Sequence, residues 1–139
     1  GDELRKIFKK TNTSYHRQER IELGLIYSRL VSELVSQGVF VIIAVIGLYY
    51  EIHEWNKINI RNYYDVFLDV PFEELKRRDP KGLYKRHEEG ELKNIAGLDF
   101  AIDEPVEPWL RVSWDPTFTA MKICDNIVMQ LIDSHNFSK

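Results

Sequence analysis

The run Arg77-Arg78-Asp79-Pro80-Lys81-Gly82-Leu83-Tyr84 carries the densest chemistry in this 139-residue chain. It joins two guanidinium forks and an ammonium to a proline that stiffens the backbone and a glycine that lets it turn sharply. Such a segment can close over polyphosphate, because Arg presents paired N–H donors and Lys a point charge to anionic oxygens. A charged helix end has the same composition, so the run alone leaves both readings open. Gly1-Asp2-Glu3-Leu4-Arg5 sets an acid and a base three residues apart, the spacing of an ordinary solvated helical pair.

Other reactive residue types give weaker signals. Cys124 is the single cysteine, which excludes an internal disulfide and fits a reducing compartment. Its expected place is a buried helix face, where a thiol acts as a small hydrophobe. His16, His53, His87 and His135 share no metal-ligand spacing and read as surface or loop residues, so no metal site is expected. Trp55, Trp109 and Trp114 read as core or subunit-contact residues.

The elements that must position these groups follow from periodicity. Leu23, Ile26, Tyr27, Leu30, Val31, Leu34 and Val35 recur at helical spacing, and Gly38 is a natural stop just beyond. Residues 39–46 are apolar throughout and rich in β-branched side chains, the pattern of a parallel strand covered on both faces. Residues 51–61 read as a helix with Ile52, Trp55 and Ile58 on one side, and residues 64–70 as a second buried strand. Pro71 can open the next helix, since its missing N–H costs nothing there. Residues 72–89 read as charged helix broken at Asp79-Pro80, and residues 90–108 as a long functional loop. Residues 109–114 alternate like a strand. Asp115-Pro116 is the expected cap of a last helix with Met121, Cys124, Val128 and Leu131 inward. This alternation predicts one α/β domain, residues 1–139, with a parallel sheet. Ligands in such sheets bind at the carboxyl ends of the strands: here the chain start, residues 47–50 and the loops after Val70.

The bulk properties narrow the class. A net charge of −3 gives no support for nucleic-acid or membrane-surface binding. The charged first ten residues are no signal peptide, and the apolar run 39–46 is too short to span a bilayer, so a cytoplasmic location is expected.

Asp69-Val70-Pro71, then Arg78 to Tyr84, then Gly90-Glu91-Leu92-Lys93 and Gly97-Leu98-Asp99 are similar in order and spacing to the adenylylsulfate kinase family. Gly1-Asp2 with Arg5 resembles the opening of that family's substrate site, and Tyr15 with Arg20 its aromatic-plus-arginine substrate loop. The resemblance implies a P-loop kinase-like three-layer fold whose P-loop strand and helix are missing from this chain. It implies transfer of the γ-phosphate of Mg-ATP, hence ATP and Mg²⁺, to a nucleotide's ribose 3′-hydroxyl. By the same resemblance Asp2 would orient the acceptor hydroxyl and take its proton. Arg5 and Arg20 would hold substrate anions, Tyr15 would stack on the base and Lys93 would lie near the anionic end. Lys81, Gly82 and Leu83 would belong to a lid of about residues 77–100, with Arg77 and Arg78 on the ATP side. Family members are commonly homodimers, so a homodimer is expected.

Four departures separate the chain from the family pattern. No G-x-x-x-x-G-K-S/T phosphate loop occurs, so a chain of these residues alone is expected to bind ATP poorly and transfer no phosphate. The usual Asn-Ile-Arg-Arg is Leu23-Gly24-Leu25-Ile26, the usual Phe is Ile95, and the usual Ser-Pro-Tyr-Arg is Gly47-Leu48-Tyr49-Tyr50. Three changes fall where the acceptor is recognised while the lid motif is intact, a pattern of kept reaction and changed substrate. Relatives in capsule biosynthesis phosphorylate cytidine diphosphoramidate, so adenylyl sulfate and cytidine diphosphoramidate both stand as acceptors. The alternatives are a non-catalytic kinase-fold binding module without a P-loop, and another small-molecule P-loop kinase, against which the lid motif argues.

Overall fold

The computed structural model describes residues 2–8, 16–95, 97–99 and 101–136, with the side chains of Asp2, Glu3, Arg5, His135 and Asn136 outside that description. Among the described residues six helices and two strands follow one another: α1 Asp2–Ile7, α2 Arg17–Ser36, α3 Tyr50–Asn59, β1 Val66–Asp69, α4 Phe72–Arg78, α5 Leu83–Glu88, β2 Leu110–Ser113 and α6 Ala120–Asn136. They divide into two compact units, one of residues 1–63 with 80–106 and one of residues 64–79 with 107–139. The boundary between Asp79 and Pro80 falls inside the segment read as a lid.

The first unit is built on α2 against α3. Ile21, Tyr49 and Ile52 form its buried cluster, with Leu25 packed on it. Along α2 the positions Ile21, Gly24, Leu25 and Ser28 recur at i, i+3, i+4 and i+7, one face of a helix. Gly24 lets the two helices approach: a Cβ there would stand 2.2 Å from Ile52 Cδ1. Ser28 is buried, and Ser32 Oγ donates to Asn59 O across the pair at 3.1 Å. Tyr27, also buried, meets Phe8 at 6.0 Å between ring centroids. The expected stripe of α2 is therefore corrected. Leu23 and Tyr27 are inside, but Leu30 is 37% exposed, and the closest packing uses Gly24. The stop at Gly38 is as expected, with φ 81° and Val39 N donating to Leu34 O at 3.1 Å. Truncating Ile52 to Ala leaves a cavity beside Gly24 that neither backbone can close, and should cost about 2–5 kcal/mol by chemical denaturation. A loss under about 1 kcal/mol would contradict this packing.

The second unit pairs β1 with β2 in parallel, Val66 opposite Leu110 and Asp69 opposite Ser113. Asp65 starts the ladder, accepting from Trp109 N through Oδ1 at 2.7 Å and from Leu110 N through its carbonyl at 3.1 Å. Arg111 reaches across to Asp69 at 2.8 Å and lies over the Phe67 ring at 4.6 Å. Pro71 precedes α4 as its N-cap residue, φ −55°.

Four further expectations are overturned. Residues 39–46 form no strand: among the described residues they pair with none, and Phe40, Ile42 and Ile46 are 77, 85 and 72% exposed. An all-apolar strand needs neighbours for its N–H and C=O groups and cover on both faces, and neither is present there. The last helix is opened by Thr119, whose Oγ1 accepts from Lys122 N at 3.3 Å, while Asp115 folds back onto Thr117 N at 2.7 Å. On that helix Met121 and Val128 are 69 and 52% exposed and Cys124 is exposed, so these are not inward positions in the described chain. Ile58, expected to share a face with Ile52, is likewise 79% exposed.

Candidate functional site

Helix α2 begins at Arg17, and its first turn carries the first unit's principal cations. Arg20 donates through Nη2 to Asn94 O at 2.8 Å. Asn94 sits at φ 64°, a left-handed conformation that Asn tolerates better than most residues and that turns its carbonyl toward the helix. Beside Arg20 lies Tyr49, 1% exposed. Burial pushes the Tyr49 phenol up, opposed by the charges of Arg20 and Arg17.

Arg17 forms a second cluster. It donates to both oxygens of Glu51, at 2.8 and 3.1 Å, and to Asp103 at 2.5 Å, while lying 5.5 Å above the Tyr49 ring. Asp103 Oδ2 also accepts from Tyr50 N at 3.2 Å, where a carboxylate meets the free N–H groups of α3. The Tyr50 N–H, then Arg17, hold the Asp103 carboxyl below its usual range, and Arg17 does the same for Glu51. Sequence reasoning passed over Arg17 and Asp103, because 86 residues separate them and no local pattern joins them.

Lys81 is exposed and lies just before α5, and Gly82, φ 62°, is the N-cap residue of that helix. Leu83 is the first helical residue and is 40% exposed. The glycine is needed at that turn, since a side chain at this φ would strain the backbone. Lys93 is exposed and precedes Asn94, so it stands one residue from the carbonyl that Arg20 engages. In the loop that follows, Asp99 accepts from Ile95 N at 2.8 Å and bonds His87 Nε2 of α5 at 2.8 Å. His87 first, then the Ile95 N–H, keep the Asp99 carboxyl below its usual range.

In the second unit, Arg77 and Arg78 both turn to Glu74, at 2.7 and 2.8 Å for Arg77 and 2.7 Å for Arg78. That spacing, i to i+3 and i+4, is legible in the sequence. Arg78 also stacks over the Trp114 ring at 4.4 Å, beside a small recess lined by Leu68, Val70, Val112 and Phe118. The two guanidiniums lower Glu74 from 4.5 to about 2. Because its folded value lies below its unfolded one, the stabilisation is complete above about 4.5 and is lost as pH falls toward 2. Thermal melts between pH 5 and pH 2 should show a falling Tm, with a shallower fall in Glu74→Gln. Identical slopes would contradict the assignment.

The structure thus brings Arg20 together with the Asn94 turn next to Lys93, sets Lys81, Gly82 and Leu83 at the start of α5, and places Arg77 and Arg78 on α4. Asp2 and Arg5 lie on α1, but their side chains, like the whole of Tyr15, are outside the described residues. Among the described residues no helix is long and apolar enough to cross a membrane.

The family model for adenylylsulphate kinase matches residues 1–113. The cytidine diphosphoramidate kinase of Campylobacter jejuni is 36% identical over 105 residues, 76% of this chain and 61% of that protein. The adenylyl-sulfate kinase of Pseudomonas aeruginosa is 30% identical over 128 residues, 88% of this chain and 65% of that protein. The chain therefore spans a little under two thirds of the length of these curated relatives. The APS kinase of Mycobacterium tuberculosis, solved in complex with AMPPNP and APS, superposes with a TM-score of 0.83 at 25% identity, covering 94% of this chain and 76% of that one. Its fold is the α/β P-loop kinase fold with a parallel sheet that the motifs imply. With 113 of 139 residues inside the family match, the chain belongs to the adenylylsulphate kinase family.

Proposed function

We propose that the protein carrying this chain transfers the γ-phosphate of ATP to the ribose 3′-hydroxyl of a nucleotide, with residues 1–139 acting as one domain. Its acceptor, on this reading, is cytidine diphosphoramidate rather than adenylyl sulfate. The observation that carries the acceptor choice is the packing of α2. Leu23 is 5% exposed, Gly24 meets Ile52 and Leu25 packs on the Ile21–Tyr49–Ile52 cluster. These positions bury apolar surface and offer a ligand no polar side chain. A site with fewer donors favours an acceptor that leaves fewer groups unpaired, such as a smaller base and a neutral amide.

ATP would supply the transferred group, and Mg²⁺, held mainly by phosphate oxygens and water, would neutralise its charge. On the donor side Arg77 and Arg78, both paired with Glu74 in this structure, would turn their cationic forks to the phosphates. The 139 residues contain no G-x-x-x-x-G-K-S/T sequence, so no phosphate cradle is assigned to them. On the acceptor side Arg20 and Arg5 would hold anionic oxygens, Tyr15 would stack on the base and Lys93 would meet the far anionic group. Asp2 would accept a hydrogen bond from the 3′-hydroxyl, aligning it, and take its proton late in transfer. Lys81, Gly82 and Leu83 would close over the site and exclude water.

Changing Arg20 to Ala separates binding from chemistry. Acceptor KM should rise about 10–100-fold, the loss of one charge-assisted contact, with the KM for ATP little changed. An acceptor KM within twofold of the parent would remove Arg20 from the site.

A further inference from the structure

Resting on the kinase reading, we infer that His87 and Asp99 are positioning residues for acceptor binding: they tie α5, which begins at the lid motif, to the turn that presents Asn94 O to Arg20. Asp99 carries both ends of this tie. One carboxylate oxygen accepts from Ile95 N at 2.8 Å and the other bonds His87 Nε2 at 2.8 Å. Backbone bonds from Leu98 N and Asp99 N to Ile95 O, at 3.1 and 2.9 Å, close the same loop. The loop holds Asn94 at φ 64° and Gly97 at φ 85°. Asn94 in turn offers the carbonyl that Arg20 engages at 2.8 Å.

The physical argument is one of rigidity. Helix α5 is the anchor and the loop the part held: α5 keeps its own backbone bonds, from Arg86 N to Gly82 O at 3.1 Å and from Glu89 N to Lys85 O at 3.0 Å, without the tie. Asp99 also gives the residue 94–95 turn a fixed partner for the Ile95 amide. The two side chains are only 26 and 31% exposed, which limits competition from water. Neither residue touches the reacting atoms. If the tie is cut, Arg20 keeps its charge but loses its register with the loop. Acceptor binding then suffers and the chemical step does not, because a misplaced binding group raises KM without altering the transition-state contacts.

His87→Leu, His87→Gln and Asp99→Asn in the full-length protein test this. The readouts are steady-state kinetics with both nucleotides and amide hydrogen exchange over residues 92–99. Gln can place an N–H donor near the position of the imidazole Nε2, so it should rescue what Leu loses. Expected for His87→Leu and Asp99→Asn is faster exchange at Ile95, with acceptor KM raised about tenfold, the size of one charge-assisted hydrogen bond. Their kcat and their KM for ATP should stay within about twofold, and His87→Gln should lie close to the parent. Unchanged exchange and KM in His87→Leu, a fall in kcat at constant KM, or failure of Gln to rescue would each overturn the inference. If the parent transfers phosphate to neither nucleotide, the kinase reading fails, and the exchange at Ile95 alone decides whether the tie exists.

Discussion

On the proposed kinase reading, Lys81→Ala is expected to lower phosphoryl transfer by the full-length protein by about 10²–10³-fold, the usual loss when one preorganised donor to developing charge is removed. Three placements support so large an effect. Lys81 is exposed, so deleting its side chain removes no core contact. It lies between Asp79, which ends α4 at φ 20°, and Gly82, which opens α5 at φ 62°. Its ammonium is a point charge on a flexible stem, suited to following phosphate oxygens through the reaction. The thermal midpoint should remain within about 2 °C of the parent, as for surface substitutions generally. Unchanged turnover would remove the lid assignment, and a collapsed Tm would show that the residue serves the fold.

Asp2→Asn is expected to reduce kcat by about 10²–10⁴-fold, the range for losing a positioned general base. Asn keeps the size and one acceptor oxygen, so the acceptor KM should move by less than about threefold. That split follows from the role: an amide can still align the hydroxyl but cannot take its proton. Asp2 is the first residue of α1. Measuring single-turnover transfer together with the melting curve separates an effect on the chemistry from an effect on the fold. A kcat within threefold of the parent would exclude Asp2 from the chemistry.

Much of the fold was legible because its signals are local. The stop at Gly38 follows from a glycine placed after an apolar-periodic run. The break at Asp79-Pro80 and the opening of α4 at Pro71 follow from proline alone. Residues 39–46 show where local pattern fails. Their composition specifies a strand, but a strand exists only with partners, and no partner is visible in the sequence. The last helix fails for a related reason. Asp115 and Thr119 are both good capping residues, and the turn that Asp115 makes with Thr117 decides between them.

The site divides along the same line. Arg77, Arg78, Lys81, Gly82 and Leu83 form one contiguous motif and could be named together. Arg17 with Asp103 and His87 with Asp99 are pairings across the chain. Each residue of them, taken singly, looks like an ordinary surface charge. Tyr49 is the instructive middle case. It survives within an otherwise altered Gly47-Leu48-Tyr49-Tyr50 stretch, and it is the most buried large side chain described. The change at Leu23, Gly24 and Leu25 also gained a physical meaning, since Gly24 and Leu25 pack toward the Ile21–Tyr49–Ile52 cluster and Leu23 is buried.

The most direct test is a competition between acceptors. Purified full-length protein would be given Mg-ATP with cytidine diphosphoramidate or adenylyl sulfate, and the 3′-phosphorylated products quantified by mass spectrometry. The account predicts transfer to the ribose 3′-hydroxyl, with kcat/KM at least about tenfold higher for cytidine diphosphoramidate, roughly 1.4 kcal/mol of discrimination. A higher kcat/KM for adenylyl sulfate would contradict the assigned acceptor, and transfer to neither would contradict the kinase reading itself.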